Sequence, residues 1–256
     1  MLEVLIIRDH RPGHYNQSEG IAMALRRLAP VSVQYVELKR RAILSWHLYY
    51  SIYNRGLMPD RFFLNLIYPD MKIDNKPDLI ISSGGETLLY NILISRHYDC
   101  ENIFSGSVRN LDTAFFSAIL TPYRRFSGRN PYICGLKPSP VDPDLQPSTG
   151  QQIDYCFLIG GPSGTHAYRE SDWQKIFALT RQAARHSKLA IFTSHRTPPE
   201  IEAGFKTLKS ERVEVFDSKE VRSSDVFDYC KRSRGIVVTE DSNSMITEAI
   251  CCRSPY

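Results

Sequence analysis

The sequence predicts an α/β protein of two domains, each built around a mainly parallel sheet. Short apolar runs alternate with amphipathic stretches from end to end, which is the pattern of successive βαβ units. That rhythm breaks once, in a stretch poor in periodicity from Phe126 to Gly150 that holds Pro131, Pro138, Pro140, Pro143 and Pro147 and reads as a linker between domains. Small or polar turns follow the apolar runs on both sides of the break. The expected division is residues 1–145 and 146–256.

In the first half, Val4 to Ile7 reads as a buried strand, followed by a loop and a helix over Ser18 to Leu28 with Ile21, Leu25 and Leu28 on one face. Val31 to Leu38 is a second strand. Asp78 to Ser82 is a third, turning at Ser83-Gly84-Gly85 into a helix over Glu86 to Ser95, and Asn102 to Ser107 is a fourth. In the second half, strands are expected at Tyr155–Ile159, Leu189–Thr193, Val213–Phe216 and Ile236–Thr239. The helices between and after them are expected at Tyr168–His186, Pro198–Leu208, Ser224–Arg232 and Ser244–Cys251. A further strand begins at Arg253-Ser254-Pro255-Tyr256, and the pattern calls for a closing helix after it. The expectation is a truncated chain, with natural termination as the alternative.

Composition narrows the function classes. With 42% hydrophobic and 23% charged residues the chain has the makings of an ordinary core. A net charge of +4 suits anionic small molecules or an anionic membrane surface and is too weak to imply nucleic acid. No apolar run reaches membrane-span length, and the N-terminus lacks the basic start and long apolar region of a signal peptide. The cytoplasm is the expected compartment, with the inner face of a membrane as a refinement. Cys100, Cys134, Cys156, Cys230, Cys251 and Cys252 form no CxxC pair and no zinc spacing, so buried reduced thiols and no metal are expected.

Five turns carry candidate chemistry. Leu158-Ile159-Gly160-Gly161-Pro162-Ser163-Gly164-Thr165 ends a strand in small residues whose peptide N–H groups are suited to a phosphate, with Ser163 and Thr165 as extra donors. No Gly-Lys-Ser/Thr follows, so it is not a P-loop. Arg8-Asp9-His10-Arg11-Pro12-Gly13-His14 follows the first strand, where open sheets place ligands, and His14 is a candidate base or phosphate partner. Val238 to Glu248 runs from a strand end into a helix start. It offers Asp241, Ser242 and Ser244, with Glu248 one turn beyond Ser244 where a carboxylate would take both ribose hydroxyls of a nucleotide. A capping box at Asn243 or Ser244 is the plainer and compatible reading. Thr193-Ser194-His195-Arg196-Thr197-Pro198 offers Arg196 to a diphosphate and Ser194 to a base, or is a simple N-cap. Ser83-Gly84-Gly85-Glu86-Thr87 is the fifth turn, suited to an acceptor. All five belong on the carboxyl edge of a sheet, and they would line one cleft if the two sheets face each other.

Residues 39–72 mix Trp46, Tyr49, Tyr50, Tyr53, Phe62, Phe63 and Tyr68 with Lys39, Arg40, Arg41, Arg55 and Arg61. Such a segment either covers the first sheet, the preferred reading, or rests on a membrane surface.

The stretches RPGHYNQ, LIGGPSGTHAY, TSHRTP and TEDSNSMITEA resemble the mitochondrial-fission, elongated-mitochondria family, most specifically in the C-terminal half. The resemblance implies a GT-B-like fold: two Rossmann-like domains facing a cleft. It places Gly13 and His14 on an acceptor loop, Gly160, Gly161, Ser163 and Gly164 on a diphosphate loop, and Ser244 and Glu248 on a ribose-binding helix start. The first loop lacks the extra glycines usual in such enzymes. The expected activity is transfer of a sugar from a nucleotide-diphosphate donor to a saccharide or lipid-linked acceptor of the cell envelope. The nucleotide sugar is the substrate, with no cofactor and no metal-binding Asp-x-Asp, Asp142-Pro143-Asp144 being discounted. The alternatives are a nucleotide-sugar epimerase and a non-catalytic interaction protein on the same scaffold.

Overall fold

The computed structural model describes residues 1–39, 46–57, 59–68, 72–126, 128–144, 150–164 and 166–252. Contacts divide the chain into two compact units, Met1–Pro140 and Val141–Tyr256. The boundary expected at 145/146, Arg40, Arg41, Pro147, Thr165 and the strand expected from Arg253 lie outside the described residues.

In the first unit the strands are β1 (Leu2–Arg8), β2 (Val31–Glu37), β3 (Leu79–Ser83), β4 (Glu101–Ser105), β5 (Ala118–Thr121) and β6 (Tyr132–Cys134). They form one sheet in the order β2-β1-β3-β4-β5-β6, and every pair is parallel. β1 shows how the layers arise. Alternate residues point to opposite faces, so Leu5 and Ile7 enter one core while Val4 and Ile6 enter another with Ile21 and Ala22. The latter pair belongs to α1 (Pro12–Arg26), which covers that face.

The other face is covered by α4 (Leu88–Tyr98), whose residues from Leu88 to Ile94 are all buried. A helix apolar all round needs a second cover. α2 (Trp46–Asn54) and α3 (Asp60–Ile67) supply it, placing Tyr49, Tyr50, Tyr53, Phe63 and Tyr68 in the same core. Those five rings therefore cover the sheet and are not a membrane-facing surface. No helix among the described residues is long and apolar enough to cross a membrane.

The second unit holds β7 (Ile153–Ile159), β8 (Leu189–Thr193), β9 (Val213–Phe216) and β10 (Ser233–Val238), parallel and in the order β10-β7-β8-β9. Phe157 and Ile159 face α5 (Glu170–Ala184) and α6 (Pro199–Lys206) through Trp173, Ile201 and Phe205. Cys156 and Leu158 face α7 (Ser223–Arg232) and α8 (Asn243–Cys251) through Cys230 and Ala249. The six cysteines are all free.

Two expectations are corrected. The first helix begins at Pro12, six residues before Ser18, because proline at the first helical position loses no hydrogen bond there. Gly13 and His14 thus stand on a helical turn and not on a loop. The stretch from Phe126 is not wholly a linker either, since β6 joins the sheet edge within it.

A buried polar network ties α4 to the sheet. Asn91 Nδ2 donates to Ser82 Oγ at 2.9 Å and to the Ile103 carbonyl at 3.2 Å, and Asn91 Oδ1 accepts from Asn102 Nδ2 at 2.8 Å. Asn91→Ala leaves those groups without their partner in a dry site, at a cost of about 1–3 kcal/mol. The expected result is a lower urea midpoint at unchanged slope.

Candidate functional site

The order of the strands selects two places. In an open parallel sheet a crevice forms where the chain reverses its direction of strand addition, outside the carboxyl ends of the two strands that flank the reversal. In the first sheet those strands are β1 and β3, and in the second they are β7 and β10.

Beyond β1 and β3 lies a cavity of about 230 Å3 lined by His14, Gln17, Ser83, Gly84, Gly85 and Arg109 among others. His14 Nδ1 lies 2.5 Å from Asp9 Oδ2. A carboxylate only accepts, so Nδ1 carries a proton, and in the neutral imidazole the lone pair is then on Nε2. Asp9 is 1% exposed at its side chain against 27% for His14, which makes it a buried orienting group behind a reachable ring. Asp9 Oδ1 also accepts from the Arg11 N–H at 3.0 Å.

The floor is rigid. Thr87 Oγ1 donates to the Gly84 carbonyl at 2.9 Å, Tyr50 OH donates to the Gly85 carbonyl at 2.8 Å, and Ser105 Oγ donates to Gln17 Oε1 at 2.9 Å. Gly84 has φ +92°, and a Cβ there would overlap the His14 ring and the Asp9 carboxylate. A Cβ on Gly85 would overlap the Arg109 guanidinium. Two adjacent glycines thus clear room for two different functional side chains. Arg8, by contrast, pairs with Glu19 and lies over the Tyr35 ring, 3.7 Å from its centroid, so it faces away from a ligand role.

Beyond β7 and β10 the centre is Asp241, whose side chain is fully buried. Oδ1 accepts from Tyr168 OH at 2.6 Å and from Thr239 Oγ1 at 2.7 Å. Oδ2 accepts from Arg196 Nη2 at 2.6 Å and from the Gly161 N–H at 3.2 Å. Burial alone would raise this carboxyl, but the donated hydrogen bonds and the guanidinium hold it below its ordinary value. Tyr168 is pushed up to about 12 by burial and by its bond to Asp241.

This geometry corrects the sequence reading of the glycine turn. The Gly160 N–H donates to Thr239 Oγ1 at 2.8 Å and the Gly161 N–H to Asp241, so neither is left to cradle a phosphate. Their role is to lack a side chain: a Cβ on Gly160 would overlap the Asp241 carboxylate, and one on Gly161 the Arg196 carbonyl. Arg196 is likewise not an unmatched cation, since Nη1 donates to the Gly161 carbonyl at 3.0 Å and Nη2 is held by Asp241. Ser194 Oγ accepts from the Arg196 N–H at 3.2 Å, which makes it part of the turn's own frame. Ser242, not Asn243 or Ser244, is the N-cap of α8, its hydroxyl accepting from the Met245 N–H at 3.4 Å.

Ser163 closes a tight turn with His166, donating from its N–H to the His166 carbonyl at 2.8 Å. Gly164 and Gly13 stand in open space. Ser244 and Glu248 occupy successive turns of α8 and are both half-buried. Glu248 has no hydrogen-bond or ion partner among the described residues, and burial raises its carboxyl to about 7. The Gly160–Gly161 turn is tied to its neighbours through Asp241, Thr239, Arg196 and Thr197, and Glu248 takes no part in these bonds. Asp9, Arg109, Tyr168, Thr197 and Thr239 complete the two clusters. Of these, Asp9 carried a signal, five residues before His14. Arg109 carried none.

Comparison with known proteins gives the fold a context. Residues 143–255 match the family model described as mitochondrial fission ELM1. No curated protein is significantly similar in sequence. A putative UDP-N-acetylglucosamine 2-epimerase from Listeria monocytogenes superposes with a TM-score of 0.60 at 10% identity, over 99% of this chain and 78% of its own. The Methanocaldococcus jannaschii UDP-GlcNAc 2-epimerase, in complex with UDP-GlcNAc and UDP, gives 0.51 at 12% over 99% and 83%. The E. coli heptosyltransferase WaaC, with ADP-2-deoxy-2-fluoro heptose, gives 0.50 at 12% over 99% and 87%. The fold is the GT-B-like arrangement of two Rossmann-like units that glycosyltransferases and epimerases share.

Asp241→Asn removes one partner of a charge pair that is dry on the carboxylate side, at a cost of about 2–4 kcal/mol at neutral pH. The depressed carboxyl stabilises the fold above its ordinary value of 3.8 and loses that contribution as pH falls through the lower native value. The two proteins should therefore converge in stability in acid. Glu248 has the opposite sign. Its proton is held in the native state up to about pH 7 against an ordinary 4.5, so its contribution falls as pH rises across that window. Glu248→Gln should be the more stable protein at pH 8, by about 1–2 kcal/mol in denaturant titrations. Equal stability at pH 8 would mean the carboxyl is solvated.

Proposed function

We propose that this chain is a glycosyltransferase that moves a sugar from a nucleotide-diphosphate donor to a hydroxyl of a cell-envelope saccharide or lipid-linked acceptor. The observation that carries the reading is the His14–Asp9 pair, a single oriented base at the reversal point of the first sheet, in a cavity that no Asp or Glu lines among the described residues. Asp9 fixes the ring so that Nε2 takes the acceptor proton as the oxygen attacks the anomeric carbon and the nucleoside diphosphate leaves.

The second unit is the proposed donor site. The fold relatives named above bind UDP-GlcNAc, UDP and an ADP-heptose analogue by their descriptions, which supports a nucleotide sugar here. With the Gly160 and Gly161 amides engaged, the diphosphate is assigned to the first turn of α8, where the N–H groups of Asn243 and Ser244 have no intrahelical acceptor. Glu248, one turn further, is assigned to the ribose hydroxyls. Asp241 aligns Arg196 beside this turn. The reaction as proposed uses no resident cofactor and no metal. With five rings of residues 46–68 in the core, that segment no longer argues for a lipid, and the acceptor is defined by its hydroxyl.

The epimerases on this fold support a second reading, in which one sugar carbon is deprotonated and reprotonated without an acceptor. It needs an acid and a base flanking the sugar, and the cavity offers one imidazole. Calorimetry of the full chain with UDP, ADP and their sugars tests the donor site. Binding should weaken at least about tenfold in Glu248→Ala, or about 1.4 kcal/mol, and stay unchanged in His14→Ala. Donor incubated alone should return unaltered. An epimerised sugar would transfer the case to the second reading, and no heat with any nucleotide would leave a non-catalytic scaffold.

A further inference from the structure

The first unit's cavity contains an arginine that the proposed transfer does not use. Arg109 lies in the segment after β4, with a left-handed backbone at φ +54°, a conformation uncommon for arginine. The segment is pinned from both sides. Val108 and Leu111 are each 4% exposed, the Leu111 N–H donates to the Val108 carbonyl at 3.1 Å, and Asn54 Oδ1 accepts from the Asp112 N–H at 3.2 Å. Asn54 Nδ2 also donates to the Asn110 carbonyl. Strain held in place this way marks a functional position more often than a free surface turn.

The result of the strain is a direction. The guanidinium lies across Gly85 in space that any Cβ there would fill, and it lines the cavity with His14. The consecutive glycines Gly84 and Gly85 make room for the imidazole and the guanidinium respectively, so the base and the cation share one floor. Arg109 makes no ion pair among the described residues and is exposed to solvent. Ser107 and Lys137 line the same cavity, adding a hydroxyl and a second basic side chain. A planar fork of donors beside a hydroxyl and a second basic residue matches a phosphate better than a neutral sugar ring.

We propose that Arg109 binds a phosphate group carried by the acceptor, so that the molecule deprotonated by His14 is a phosphorylated saccharide or a phosphate-bearing lipid headgroup. This rests on the reading of the first cavity as the acceptor site. In that role Arg109 is a specificity-determining residue that touches substrate away from the reacting oxygen.

The test uses the full chain and inorganic phosphate as the probe, followed by the ring nitrogen signals of His14 in proton–nitrogen correlation spectra. A saturable shift is expected in the wild-type protein. Its apparent Kd should rise at least about tenfold in Arg109→Gln and by about two- to threefold in Arg109→Lys, which keeps the charge but loses the fork. Arg109→Gly removes both the guanidinium and the backbone strain. It should lose the phosphate response while its Tm stays level or rises, which separates lost binding from lost folding. UDP calorimetry on the same variants keeps the two readings apart. Unchanged UDP binding in Arg109→Gln with a lost phosphate response supports the proposal. If UDP gives no heat but another nucleotide binds, a phosphate response dependent on Arg109 still supports it, and only the choice of uridine fails. No phosphate shift in the wild type, a shift as strong in Arg109→Gln, or UDP binding lost in that variant would each overturn it. Among acceptors, a glycosyl phosphate and vesicles containing phosphatidic acid distinguish a soluble from a lipid-borne phosphate.

Discussion

One buried carboxylate organises the carboxyl edge of the second sheet. Asp241 sits where β10 gives way to α8 and receives a donor from each neighbouring stretch: Gly161 after β7, Arg196 after β8, Tyr168 before α5 and Thr239 at its own strand end. A carboxylate removed from water is tolerable only when its lone pairs are met, and here four donors meet them. The loops that must stay in register for any ligand to bind therefore meet at one charged centre, with direct bonds from Thr197 and Arg196 to the Gly160–Gly161 turn beside it.

The first unit repeats the device on a smaller scale. Asp9 is as deeply buried, and it too sits just past a strand end at the point where the sheet reverses. In one unit the buried acid orients an imidazole, in the other a guanidinium. In both, an adjacent pair of glycines follows the neighbouring strand: Gly84 leaves room for the imidazole, and Gly160 for the Asp241 carboxylate itself. The parallel topology explains the repetition. Every strand delivers its loop to the same edge, and the reversal point is where two such loops diverge and leave space between them.

Much of this was legible from residue patterns. β8 falls where its apolar run does, because a strand buried on both faces is a near-continuous apolar run, and β9 is marked by the alternation of Val213 and Val215 with exposed Glu214. β5 and β6 were missed. They are four and three residues long, and the second lies among prolines and glycines that signal a linker. The start of α1 was misplaced because Arg-Pro-Gly-His reads as a breaker, although proline is at home in a first helical turn. His14 and Asp241 drew attention because both lie in the turns that follow apolar runs. The glycines after β7 drew attention for their amides, which the structure shows to be engaged. A glycine pair exposes peptide amides or admits a neighbour's side chain, and only coordinates reveal which. Arg109 was invisible, since its significance lies in a backbone angle and in a glycine 24 positions earlier in the chain.

The glycine pairs have a consequence for how this protein tolerates change. Replacing a residue by alanine normally subtracts atoms and leaves a gap. At positions 84, 160 and 161 the same replacement inserts a methyl group into space already taken by an imidazole, a carboxylate or a backbone carbonyl. The smallest residue change, reachable by one altered base in the codon, is thus among the most disruptive available to the chain. Drift at these three positions is opposed by crowding, independently of which reaction the site performs.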